Sequence, residues 1–84
     1  MQEIINIDDV YNKIISKWKA SNDLELIVGL DNSAAGSVTG SEALMNQGDY
    51  LLSLKHNNPK AYSLINEEVK DYLNYCKQHG LIIK

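Results

Sequence analysis

The sequence predicts an all-α protein, a compact antiparallel bundle of about four helices. Three features carry that expectation: apolar residues recur at helical spacing in four segments, each segment follows a capping residue, and the connections between them are short. At 84 residues, with 44% hydrophobic and 23% charged residues, the chain has the composition of one globular domain spanning 1–84. A domain of this size buries a modest share of its surface, so the thin core leaves self-association into a homodimer open.

The first helix is expected to start at Asn6 or Asp8, either of which can cap it. Val10, Tyr11, Ile14, Ile15 and Trp18 then fall on one face, and the helix ends near Ala20. In the second segment Asn22 and Glu25 have capping-box spacing, and Leu24, Ile27, Val28, Asp31 and Ala35 follow a helical period up to Gly36. Leu24, Leu26, Val28 and Leu30 also alternate, so an α+β fold with Leu24–Leu30 as a strand is the alternative; helix is the preferred reading.

Thr39 and Glu42 have the spacing of a second capping box and start the third helix, whose stripe is Leu44, Met45, Leu51 and Leu52. Gly48 lies within that stripe, where glycine costs about 1 kcal/mol relative to alanine, which points to close approach of a neighbouring helix. Tyr50 and Leu54 occupy an adjacent face. Asn58 and Pro59 form a cap and first-turn pair that opens the fourth helix. It is expected to run unbroken past Tyr62, Ile65, Val69, Tyr72, Leu73 and Cys76 to a left-handed cap at Gly80, with Leu81 packing back and Leu81–Ile83 forming a short apolar tail.

The formal charge is −3, and all eight cationic side chains are lysine. Arginine supplies the bidentate fork for phosphate and guanine edges, and its absence argues against nucleic acid as a partner. The lone cysteine, Cys76, excludes an internal disulfide and fits a reducing compartment. No window is apolar enough for a membrane span and no leader pattern is evident, so the expected location is cytoplasmic, with no membrane partner.

Candidate chemistry is sparse. The run Gly36-Ser-Val-Thr-Gly-Ser41 combines glycines, hydroxyls and a helix start, but Gly40 is followed by Ser41 and Glu42 in place of the Lys-Ser/Thr that holds phosphate in a P-loop. Cys76 and His79 have a spacing suited to two metal ligands, yet a buried thiol and a histidine near a helix C-terminus explain both, and no metal or cofactor is expected. Many serines but only two histidines, with no Gly-x-Ser-x-Gly elbow, give no catalytic constellation, and no catalytic residue is assigned.

Of the aromatic residues, Trp18, Tyr62 and Tyr72 belong to the apolar stripes, whereas Tyr75 falls off its stripe and is expected at the surface, where tyrosine often carries interface energy. The sequence is therefore read as a non-enzymatic protein-protein interaction domain, acidic and helical, by analogy with small inhibitors and immunity-type binders. Its expected contact residues are Asp31, Glu42, Asp49 and Tyr75, drawn from a wider set that includes Asp23 and Glu25, and the expectation requires Asp31, Glu42 and Asp49 to share an exposed face. One alternative is a small ligand-binding protein or enzyme with a site near Ser37–Glu42 at a dimer interface, lined by Thr39, Ser41 and His56. Another is a subunit of a larger assembly.

Overall fold

A computed structural model describes residues 6–81. Among these residues five helices follow one another: α1 (Ile7–Ala20), α2 (Leu24–Ala34), α3 (Gly40–Asn57), α4 (Pro59–Leu64) and α5 (Asn66–Gln78). The fold is all-α, and the strand alternative for Leu24–Leu30 is not adopted, since that whole segment is helical. Among the described residues no helix is long and apolar enough to cross a membrane.

The long helices form a ring in which α1 packs on α2, α2 on α3, α3 on α5 and α5 on α1; the short α4 touches α1 and α3. Inside the ring lie Val10, Ile14 and Trp18 from α1, Leu30 from α2, Leu51 and Leu54 from α3, and Ile65, Val69, Tyr72 and Cys76 from the last segment. On α1 and in the last segment these are the positions that the three- and four-residue spacing selects. The expected stripe of α2 is not its buried face, since Leu30 is buried while Leu24, Val28, Asp31 and Ala35 are exposed, and on α3 Leu54 is buried beside Leu51 while Leu44, Met45 and Leu52 are half-buried.

The helix ends show how local chemistry sets the boundaries. Asn6 caps α1, its side-chain oxygen accepting from the backbone N–H of Asp8 at 3.0 Å. At the other end Asn22 sits in the left-handed region at φ 62, and the N–H of Asp23 donates to the carbonyl of Trp18 at 2.8 Å while that of Asn22 donates to Lys19. Asn22 therefore closes α1, as asparagine can with little strain, and does not open a capping box with Glu25; α2 begins one residue later, at Asp23 as N-cap. Thr39 caps α3 as expected, accepting from Glu42 N–H at 3.1 Å. Asn58 accepts from Ala61 N–H at 3.2 Å, with Pro59 in the first turn of α4.

The last segment departs from the unbroken helix expected of it. Ile65 leaves helical geometry at φ −117 and ψ 19, dividing the segment into α4 and α5. Its side chain is fully buried, and Ala61, Ile65, Val69, Tyr72 and Cys76 stay buried on both sides of the break, so the stripe continues although the helix does not. Glu67 and Glu68 then fall in the first turn of a new helix, where a carboxylate meets the positive end of the helix dipole. Gly80, at φ 73, closes α5: Leu81 N–H reaches the Cys76 carbonyl at 2.8 Å, and Leu81 packs on the core. The remainder of the expected apolar tail, 82–83, lies outside the described residues.

Polar groups drawn into this small interior are matched. Trp18 Nε1 donates to the Ala61 carbonyl at 3.5 Å, and Tyr72 Oη donates to the Leu44 carbonyl at 2.6 Å. Glu68, only 7% exposed, accepts from Lys17 Nζ at 2.7 Å. Among the described residues, no buried side-chain nitrogen or oxygen lacks a partner.

Gly48 is buried on α3, in keeping with its expected place in the packed stripe. A close approach that the sequence reading did not single out occurs at Gly29 of α2. A Cβ there would meet the Tyr50 phenol, coming within 2.8 Å of its Cζ, while Tyr50 Oη donates to the Leu26 carbonyl at 3.4 Å. Two stability outcomes follow from this packing. Gly29→Ala is expected to destabilise the protein although alanine gains about 1 kcal/mol of helix propensity, and the sign is expected to reverse in a Tyr50→Leu background, where the ring is gone; denaturant melts of the four proteins test this. Trp18→Ala removes the largest fully buried side chain and is expected to cost about 3–5 kcal/mol in the same melts.

Candidate functional surface

The expected contact residues do not gather on one surface. On α2, Leu26 and Gly29 face Tyr50 of α3, and the Leu30 carbonyl accepts from Gln47 Nε2 at 3.3 Å. Asp31 projects to the other side and accepts a hydrogen bond from Tyr11 Oη of α1. Glu42 and Asp49 are seven residues apart on α3, on the side away from its buried Gly48, Leu51 and Leu54. The three carboxylates therefore do not share one face: Asp31 belongs to the α1–α2 side, and Glu42 and Asp49 to the outer side of α3. Tyr75 is half-buried and stacks on His79 with ring centroids 4.3 Å apart.

His56 lies a further seven residues along from Asp49, and with Leu52 and Ser53 the two line an open depression on α3. Serine, histidine and aspartate on one helical face suggest nucleophile chemistry, but Ser53 Oγ donates to the Tyr50 carbonyl at 2.6 Å, which occupies the proton a base would have to remove. In the loop before α3, Thr39 Oγ1 serves as the helix cap and Ser37 Oγ accepts from Asn46 Nδ2 at 3.0 Å, so these hydroxyls tie the loop to α3. Cys76 is buried while His79 is exposed and stacked on Tyr75, so the two are not side by side as ligands. Among the described residues no three histidine, cysteine or acidic side chains gather in a way that would hold a metal ion.

Two features beyond those expectations mark α2. Leu24 and Val28 remain 53% and 57% exposed, four residues apart, and Asp31 continues the same line three residues on. The second feature is charge: residues 20–54 carry five carboxylates, Asp23, Glu25, Asp31, Glu42 and Asp49, and no lysine or arginine, whereas residues 55–84 carry five lysines against three carboxylates. The segregation is legible in the sequence once charges are counted by segment. The apolar pair could not be recognised there, because Leu24 and Val28 satisfy the helical period as well as buried residues do.

Comparison with protein-family models, with curated proteins and with solved structures yields no match. The functional reading therefore rests on the chain's own surfaces.

Tyr11 also reports on the α1–α2 contact. Burial, then the hydrogen bond to Asp31 and the carboxylate's charge, push its phenol from the ordinary 10.0 to about 12. Folding thus favours the neutral phenol: this contribution to stability is complete below the unfolded value near 10 and is lost as pH rises through about 12. Burial raises Tyr50 and Tyr72 as well. In a phenolate absorbance titration, Asp31→Asn is expected to move one late-ionising tyrosine to lower pH, and Tyr11→Phe to remove that step. An unchanged titration in Asp31→Asn would mean that Asp31 does not hold the phenol.

Proposed function

We propose that this protein is a non-enzymatic binding domain whose acidic α2–α3 half docks a basic protein. The observation that carries this reading is the run of five carboxylates without a cation between residues 20 and 54. Among the described residues a single ion pair forms, Lys17–Glu68, and it lies on the α1–α5 side. Carboxylates thus outnumber cations along α2 and α3, where Lys55 stands in the last turn of α3, and such an excess steers a positively charged partner and repels acidic ones. The separation of Asp31 from Glu42 and Asp49 makes this a broad acidic surface extending around two helices, not one compact carboxylate cluster.

The test compares the native protein with a variant carrying Asp23→Asn, Glu25→Gln, Asp31→Asn, Glu42→Gln and Asp49→Asn. Proteins captured from cell extract by each are identified, purified and titrated calorimetrically at several salt concentrations. Surface charge pairs contribute roughly 0.2–1 kcal/mol each, so the expected result is a stoichiometric complex with a basic protein, weakened about tenfold or more in the variant and by added salt. Equal binding by both proteins, or affinity that ignores salt, would overturn the reading.

A further inference from the structure

We infer that the outer strip of α2 is the seat of a cationic amphipathic helix, with Leu24 and Val28 receiving its apolar side and carboxylates at each end receiving its lysines or arginines. This inference rests on the proposed basic partner and adds the place and the shape of the contact.

The strip has the form such a helix requires. Leu24, Val28 and Asp31 stand in line along the exposed side of α2, and Glu25 lies beside Leu24. At the N-terminal end, a hollow is bounded by Asn22, Asp23, Leu24, Glu25, Leu26 and Asn58, so an apolar wall and two carboxylates meet in one depression. That chemistry suits a lysine or arginine side chain, whose methylene stem packs on Leu24 while its charged head reaches the acids. At the other end Asp31 remains exposed, its position set by the Tyr11 hydroxyl. Tyr11 of α1, half-buried, borders the strip at that end through this bond.

The spacing limits the partner. Asp23 and Asp31 bracket Leu24 and Val28 and are eight residues apart, about 12 Å along the helix axis. A partner helix lying alongside satisfies both ends with basic residues about two turns apart and fills the middle with apolar residues one turn apart, the helix-in-groove mode of recognition. Two other occupants fit the charges less well. A second copy pairing through the same strip would bring its carboxylates against Glu25 and Asp31, and like charges in an interface oppose association. An anionic bilayer would attract the apolar pair but repel the acids at both ends.

The probe is a synthetic leucine–lysine peptide with lysines two turns apart and leucines between them, set against a scrambled peptide of the same composition. Amide shifts of the isotope-labelled protein are followed by NMR. The expected result is saturable binding of the patterned peptide with shifts concentrated in α2 and the facing side of α1, and weaker binding of the scrambled peptide. Leu24→Asn with Val28→Asn is expected to reduce affinity on the order of tenfold, about 1.4 kcal/mol. Both side chains are more than half exposed, so the fold should survive, and an unchanged thermal midpoint confirms it.

Shifts centred on Glu42 and Asp49 would overturn the strip as the seat while leaving the acidic binding domain standing. Absence of binding by either peptide would overturn the strip, and the basic partner would then stand or fall on the calorimetric comparison of native and neutralised protein. Concentration-dependent self-association that the double variant abolishes would show the strip to be a dimer contact and also overturn the inference, as would protection of Leu24 and Val28 by vesicles of anionic phospholipid.

Discussion

The fold depends first on enclosing Trp18. Its side chain is completely buried at the end of α1, yet an indole carries one N–H that must find an acceptor, and the Ala61 carbonyl of α4 provides it. That requirement ties the end of the first helix to the beginning of the last segment, far away in sequence. It gives the short α4 a role beyond connection: Asn58 and Pro59 turn the chain out of α3, and the first turn of α4 brings Ala61 over the indole. The break at Ile65 then redirects the chain so that Val69, Tyr72 and Cys76 reach the interior between α1 and α3.

A core this small leaves little room for polar errors, and its polar atoms are placed to join helices. Tyr72 from α5 donates to the Leu44 carbonyl of α3, and Glu68 from α5 accepts from Lys17 of α1. With Trp18 these bonds hold α1, α3 and the last segment in register, a directional demand that apolar packing alone does not impose. Lys17 is partly exposed, so its ion pair adds little net energy. Its effect is on orientation, since Glu68 would otherwise be left buried without a counter-charge. On the opposite side of the ring α2 is held differently, by the close fit of Gly29 against Tyr50 and by the bond from Tyr11 to Asp31.

Much of this was legible in the sequence because period and caps are local properties. The stripe Val10, Ile14, Trp18, the cap at Thr39 and the Asn58-Pro59 boundary stand where their residue types place them. Tertiary demands overrode local signals elsewhere. Asn22 has the spacing of a capping box with Glu25, but the left-handed turn that ends α1 needed a residue tolerant of positive φ, and asparagine served that need. Ile65 fits an unbroken helical period, and the period carries no sign of the turn that the backbone makes there. The candidate surface was less legible still. Helical spacing states that Leu24 and Val28 lie on one side of α2, but not that this side stays exposed among the described residues; it likewise cannot tell that Asp31 turns toward α1 while Glu42 and Asp49 face outward on α3.

The distribution of charge is the feature that folding explains least. Five carboxylates without a cation repel one another across α2 and α3, and lysine at any one of those positions would relieve the repulsion. Leu24 and Val28 add a second cost, since polar residues there would leave the buried face of α2 unchanged and remove an exposed apolar pair. The two costs meet on α2, and they oppose each other as a site for self-association: the apolar pair invites a second copy that the acids repel. A partner bearing both apolar and basic residues relieves both at once. Such a coincidence of unfavourable features is expected where a surface is shaped by what it binds and not by the stability of the fold beneath it.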